Sequence, residues 1–245
     1  TAYEIPKRDW SSDVCSSDLV GSNGASRETV MAAVNDTHRP QADRDRDAQR
    51  KPVDLMMFSM VKPGDKVAEL VAGGGYVTRL MAKIAGPTGH IYSVNTPTLN
   101  ERFKTGVNPI VMDNYYGNVS IVEQPYTTMN LPEKLDMVFN AENYHDFQNM
   151  GMFFTNTQQM NRAIFNALKP GGLYVLTDYV GPAGSGKTQT QSLHRIDPNV
   201  IKQEVLAAGF VLDAEGNALM NPGDNLTMRS NQSSSQIMLR FRKPG

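Results

Sequence analysis

Three consecutive glycines between a strand-like run and a helix-like run, KVAELVAGGGYVTRL at residues 66–80, constrain this chain more than any other feature. The run before them is largely apolar and carries one carboxylate near its end, Glu69. After them Val77, Leu80, Met81 and Ile84 recur at the spacing of one helix face. Glycine tolerates the tight turn that joins strand to helix, and without a Cβ it lets a ligand approach the backbone closely. The helix that follows opens on free N–H groups. In an open parallel sheet, ligands sit beyond the carboxyl ends of the strands, where such a turn lies. Three glycines in a row therefore favour a ligand site over a turn that binds nothing.

The rest of the chain repeats the alternation. Residues 66–71, 90–94, 119–122, 135–139, 173–177, 210–212 and 236–241 read as strands. Residues 76–85 read as a helix, and so does the stretch carrying Met160, Ile164 and Leu168, which stops at Lys169-Pro170-Gly171-Gly172. Asp197-Pro198 has the form of a cap followed by proline in the first turn, with Gly209 as the stop. Residues 41–60 start charged and end apolar, predicting one or two helices with Pro52 in a first turn. Strands alternating with helices predict an α/β fold: a seven-stranded, mostly parallel sheet with helices on both faces and an antiparallel C-terminal edge. At 245 residues the chain suffices for one such domain.

Composition narrows the partners. Lys+Arg at 24 against Asp+Glu at 25 gives no electrostatic ground to expect nucleic acid. No apolar run approaches the roughly 18 residues of a membrane span. The single cysteine, Cys15, excludes an internal disulfide framework and a zinc site built on several thiolates. It lies in SSDVCSSDL, residues 11–19, which resembles a translated sequencing adaptor. Together with the small polar residues that follow, this divides the chain into a disordered or artefactual lead-in at 1–40 and a domain at 41–245. With the native N-terminus in doubt, the expected location is cytoplasmic by default, with the periplasm left open. The alternating charges of Asp43-Arg44-Asp45-Arg46-Asp47 read as a solvated, self-paired helix face.

GGGYVT, YHDF, LKPGG and LHRID, spread over the chain from Gln41 to its end, resemble the class I S-adenosylmethionine (SAM)-dependent methyltransferases, and in particular a branch of bacterial predicted methyltransferases. The turn and GPTGHIYSVN at residues 86–95 are also similar to protein isoaspartyl methyltransferases. The resemblance implies a Rossmann-like sheet and SAM as cofactor. It implies that Glu69, Gly73, Gly74, Gly75 and Tyr76 surround the methionine end and that Asn95 takes the place of the acidic residue that holds the ribose. The adenine would lie near residues 123–127, and the backbone around Asn140 and Glu142 would face the cofactor amine. Two positions depart from the pattern: Asn95, and Val71 in place of the first glycine.

The acceptor side falls at the same rim. His145 and Asp146 follow the fourth strand, Asp178 ends the fifth, and His194 precedes the next helix. His145, with an ordinary pKa near 6.5, suits a general base. His194 reads equally as a substrate contact or a packed side chain. Two histidines and two aspartates also allow a mononuclear metal site; their spacing is too scattered to distinguish it from an acid–base set, and the expectation is an acid–base set with no metal. GPAGSGKT, residues 181–188, fits a phosphate-binding loop and so a nucleotide hydrolase acting through Lys187. The sequence after it lacks the long amphipathic helix that loop requires, and it reads instead as a flexible loop with Lys187 exposed. The expected function is methyl transfer from SAM to a small-molecule acceptor. The alternative is a noncatalytic SAM-binding protein of the same fold. The sequence leaves the oligomeric state open.

Overall fold

The computed structural model describes residues 24–245. The adaptor-like string and Cys15 lie outside the described residues. The elements are α1 Arg27–Val34, α2 Gln41–Arg44, α3 Asp47–Arg50, α4 Pro52–Ser59, β1 Lys66–Leu70, α5 Tyr76–Ala85, β2 His90–Asn95, α6 Pro97–Met112, β3 Val119–Glu123, β4 Leu135–Ala141, α7 Thr157–Ala167, β5 Leu168–Tyr179, α8 Thr190–Leu193, α9 Pro198–Ala207, β6 Val211–Gly216 and β7 Gln236–Arg242. The strands form one sheet in the order β3-β2-β1-β4-β5-β7-β6. The first five are mutually parallel, and β7 runs antiparallel to both β5 and β6.

Side chains alternate across the strands, so the sheet needs a cover on each face. Val67, Ile91, Met137 and Val175 pack with Val30 of α1, Met56 of α4 and Leu80, Met81 and Ile84 of α5. Ala68, Val94, Val138 and Tyr174 pack on the other face with Met160 and Ile164 of α7 and Ile201 and Val205 of α9. The caps are where the residue types place them. Asn156 accepts the Gln159 amide at the start of α7, and Asp197 accepts the Asn199 amide ahead of Pro198 in α9. Among the described residues no helix is long and apolar enough to cross a membrane.

Several boundaries differ from the sequence reading. The folded unit begins before Gln41, because Val30 and Ala33 of α1 are fully buried in the core. Eight residues with three buried positions are too short a signal to separate from a polar lead-in. Residues 41–60 hold three short helices, with Pro52 at the start of the last. The sixteen-residue α6 had no counterpart in the sequence reading. Thr96 caps it and Pro97 opens it, but Pro109 interrupts its interior and its apolar positions are sparse. LKPGG does not separate helix from strand: β5 already starts at Leu168, with Gly171 at φ +76 and the Gly171 amide bonded to the Lys243 carbonyl of the tail. Phe210 is buried ahead of β6.

If α1 belongs to the core, Val30→Ala should lower unfolding free energy by about 1–3 kcal/mol, read from denaturant melts with an unchanged slope. A change below about 0.5 kcal/mol, within the range of an ordinary surface substitution, would mean that α1 is only loosely held.

Candidate functional site

The strand ends of β1, β2 and β4 stand side by side, with Leu70 level with Val94 on one edge and Asn140 on the other. Beyond them opens a cleft of about 190 Å³ lined by Arg46, Arg50, Glu69, Val71, Gly73, Gly74, Tyr76 and Glu142, among others. Gly73 holds φ +55, and a Cβ at Gly73 or Gly74 would meet nothing within 4 Å, so both border open space. Gly75 does not line the cleft as expected. Its bare Cα admits Ile110 of α6, whose Cδ1 takes the place that a Cβ would need. Val71, at the position of the first glycine, holds φ +54, a left-handed conformation that a β-branched residue rarely adopts.

Glu69 is buried beneath the turn and accepts the Thr78 hydroxyl at 2.5 Å. Burial raises its pKa to about 7, against the lowering effects of Thr78, Arg79 and Arg50. Asn95 and Asn140 lie behind the cleft and do not line it. Both are fully buried; among the described residues neither atom of the Asn95 side-chain amide meets a partner, while the Asn140 amide interacts with the Tyr174 hydroxyl. An unpaired buried polar group costs about 1–3 kcal/mol. Such groups are filled by water or ligand. The region expected near adenine shows the same feature at one atom: among the described residues the buried Gln124 amide nitrogen has no partner.

The charge run at 43–47 is self-paired only at Asp43–Arg46 and is not a solvated face, since Asp43 is buried and only Asp45 is exposed. Its residues sit on two four-residue helices and the link between them, which turn Asp43, Arg46 and Asp47 toward Arg79 and Tyr76. Asp47 accepts both the Tyr76 hydroxyl, at 2.6 Å, and the Arg39 guanidinium, at 2.7 and 2.9 Å. Asp43 accepts Arg79 at 2.8 Å and Arg46 at 3.1 Å. The guanidinium carbons of Arg39, Arg46 and Arg50 lie 5.0–5.3 Å from the Tyr76 ring centre. Arg50 also bonds Glu142 at 2.7 Å. Glu142, at φ +63, accepts Gln236 with its other oxygen.

Farther along the rim the structure brings His145, Asp146, Asp178 and His194 together. His145 Nδ1 lies 2.6 Å from Asp178 Oδ1, and the His145 amide donates to Asp178 Oδ2 at 2.7 Å. His145 Nε2 lies 3.3 Å from Asp146 Oδ1 and 3.2 Å from His194 Nδ1. Burial alone would lower the His145 pKa, but the carboxylates of Asp178 and Asp146 overcome it and raise it to about 10. At neutral pH this ring already holds its proton, so it differs from the general base that an ordinary pKa would supply. His194 is shifted the other way, by burial and by the charges of His145 and Arg229. Asp197 serves as the helix cap that its position predicts.

The phosphate-loop pattern is spent on internal bonds. The Gly184 amide donates to Asp197, the Ser185 amide to the Pro182 carbonyl, and Lys187 pairs with Glu204. Only the four-residue α8 follows. These contacts tie the segment down, where the sequence reading had a flexible loop. The residues around Tyr76 that the sequence reading missed are Arg39, Arg46 and Arg50; Arg46 lay in the charge run at 43–47, and Arg39 and Arg50 carried no signal.

No family model matches the chain. The chain is 27% identical over 126 residues to a ubiquinone/menaquinone biosynthesis C-methyltransferase, UbiE, of Ectopseudomonas mendocina (strain ymp), over 51% of this chain and 46% of that protein. It is 35% identical over 63 residues to a protein-L-isoaspartate O-methyltransferase of Ignicoccus hospitalis, over 25% of this chain and 28% of that one. The matches thus span less than half the length of these curated relatives. Among solved structures, a SAM-dependent methyltransferase from Aquifex aeolicus superposes with a TM-score of 0.55 at 12% identity, covering 89% of this chain and 98% of that one. The fold is that of the class I SAM-dependent methyltransferases.

The raised Glu69 pKa makes a prediction about the protein without cofactor. A carboxyl raised in the folded state stabilises fully below its ordinary pKa of 4.5 and loses that contribution as pH climbs through about 7. Across that window the loss amounts to about 3 kcal/mol. The stability of Glu69→Gln relative to wild type should therefore rise from pH 4.5 to pH 7.5 in denaturant melts. Parallel profiles would show that Glu69 titrates normally.

Proposed function

We propose that this chain is a SAM-dependent methyltransferase acting on a small-molecule acceptor, with the cofactor held over Gly73 and Gly74. The observation that carries this reading is the glycine-walled cleft beyond the end of β1, lined by Glu69, Gly73 and Gly74, with the unpartnered Asn95 amide buried behind it at the end of the neighbouring β2. The donor set fits the cofactor. A carboxylate at Glu69 suits a cationic ligand. Asn95 offers one donor and one acceptor to a pair of hydroxyls. Arg46 and Arg50 line the same cleft and suit the ligand's carboxylate.

When bound, SAM supplies an activated methyl group on a sulfonium. The protein's contribution is positioning and exclusion of water. Gly73 and Gly74 let the backbone approach, Tyr76 closes one wall under its three arginines, and Glu142 is fixed by Arg50 and Gln236. Holding two reactants in line accounts for roughly 7–11 kcal/mol of a barrier in well-oriented systems. His145, Asp146, Asp178 and His194 stand on the acceptor side of the rim. The relatives' printed names give a carbon acceptor in quinone biosynthesis and a protein carboxyl, so an acceptor screen starts with quinone precursors and small carboxylates.

A noncatalytic SAM-binding protein is the second reading, favoured by Asn95 lying behind a cleft smaller than the roughly 300 Å³ of usual ligand sites. Methyl transfer from labelled SAM to any acceptor would overturn it.

Calorimetry with SAM checks the primary reading. Wild type should bind with release of a proton at pH 6.5, seen as heat that depends on the buffer's ionisation enthalpy, because a cation beside Glu69 favours its ionised form. Glu69→Gln should lose the proton release. Gly73→Val, which puts a branched side chain into the cleft at φ +55, should abolish binding. No wild-type binding at millimolar SAM would defeat the proposal.

A further inference from the structure

The rim cluster has a geometry that the proposed methyl transfer does not use. Three potential ligand atoms converge there: His145 Nε2, His194 Nδ1 and Asp146 Oδ1. Their separations are 3.2, 3.3 and 3.5 Å, close to an equilateral triangle. Zinc–nitrogen and zinc–oxygen bonds of about 2.0–2.2 Å at tetrahedral angles place neighbouring ligand atoms roughly 3.3–3.5 Å apart. The triangle is therefore the size of one face of a metal coordination tetrahedron.

The surroundings orient these atoms as ligands. His145 donates from Nδ1 to Asp178, a fully buried carboxylate that also takes the His145 and Tyr179 amides. That bond fixes the ring and turns Nε2 toward the other two atoms. A histidine held through its far nitrogen by a carboxylate is the usual support for a metal-bound imidazole. Asp146 lies one residue after His145, in the short turn of helix at residues 146–148, and His194 directly follows α8. Two separate segments thus bring their donors to one point. His145 is buried, while the His194 side chain keeps 29% exposure and leaves a path from solvent.

Two features oppose a metal: the hydrogen that His145 holds on Nε2 at neutral pH, which ligation must displace, and a contact at His194. Arg229 donates to His194 Nε2 at 2.6 Å, which keeps the lone pair on Nε2 and the hydrogen on Nδ1. Ligation through Nδ1 requires the opposite tautomer, and with it a movement of the Arg229 side chain. Arg229 is exposed and lies on the loop between β6 and β7, so the cost of that movement is small.

We propose that His145, His194 and Asp146 form a binding site for one divalent transition-metal ion of the zinc class, with Asp178 as the positioning residue behind His145. Two imidazoles and one carboxylate select zinc, iron(II), cobalt(II) or nickel(II) over magnesium and calcium. Three protein ligands leave at least one position open, for water or for an oxygen of a small molecule at the acceptor rim. In the sequence a metal site was the lesser reading of these residues, because positions 145, 146 and 194 meet only through the β4 and β5 strand ends.

The test uses the untagged full chain, stripped with chelator and titrated with Co²⁺ without SAM, following visible absorption and heat. One equivalent should bind, with absorption bands of a four- or five-coordinate ion, and Zn²⁺ should displace it. His194→Ala should weaken binding at least tenfold, and Asp178→Asn should weaken it by roughly 10–100-fold. Arg229→Ala should tighten binding, since it removes a cation from the ligand's far nitrogen; a purely structural histidine network would show no such gain. His38→Ala, at the exposed His38–Asp113 pair, should bind as wild type does. Absence of stoichiometric Co²⁺ or Zn²⁺ binding at millimolar metal, or wild-type affinity in His194→Ala, would overturn the site. Because SAM is absent throughout, the result does not depend on the methyltransferase reading.

Discussion

β1 is paired in parallel on both of its edges, and the candidate cofactor groups cluster where that pairing stops. Parallel strands end on the same side, so Leu70, Val94 and Asn140 come level, with Glu69 one residue back and Asn95 one residue beyond. The backbone N–H and C=O groups of the last residues lose their ladder partners there, and the chain must turn. A residue in the left-handed region makes the turn at Val71 and again at Glu142. The cleft is thus a consequence of sheet topology before any side chain is considered. The side chains decide what it can hold.

The electrostatics of the cleft are set from outside the sheet. A carboxyl buried at Glu69 would be costly to ionise alone, and Arg50 and Arg79 are the cations that ease it. Both belong to a lattice that the short helices α2 and α3 build over α5. Asp43 ties Arg79 to Arg46, Asp47 ties Arg39 to Tyr76, and Glu142 ties Arg50 to the end of β4. Isolated surface ion pairs contribute little, about 0–1 kcal/mol. Here the carboxylates are partly buried and each has two partners: Asp43 holds two cations, and Asp47 and Glu142 each hold one cation and one neutral group. The lattice therefore fixes the position of Tyr76 more than it stabilises the fold.

The sheet was legible in the sequence because its signals are local. Strand runs, the glycine turn, Asp197-Pro198 and Gly209 each declare themselves within a few residues, and the seven strands came out close to their places. What was not legible rests on contacts distant in sequence. α6 is held by Leu99, Val107 and Ile110, too few to outweigh Pro109 in a local count. The 43–47 run looks solvated by pattern, and only the turn between α2 and α3 aims it at Tyr76 and Arg79. The same holds for the candidate site. That Glu69, Gly73 and Gly74 border a cleft follows from their motif, whereas the packing of Gly75 depends on Ile110, 35 positions later. The His145 proton depends on Asp178, 33 positions later.

The departures at Val71 and Asn95 have different physical standing. A left-handed conformation costs a branched residue about 1–2 kcal/mol, and burying a valine side chain returns about 1.5–3 kcal/mol. Val71 is 93% buried, within the core cluster that holds Leu70, Val94 and Tyr144, so its packing offsets its strain. The turn then keeps the shape that a glycine would give it, and the departure leaves the cleft in place. Asn95 has no such compensation. Its amide is buried and unmatched on both atoms, and nothing in the protein repays that cost. A buried amide unmatched on both atoms is a cost that a bound water or a ligand would offset, and Asn95 carries that cost at the end of the strand beside β1. The valine is a structural accommodation, and the asparagine is the feature that argues for function.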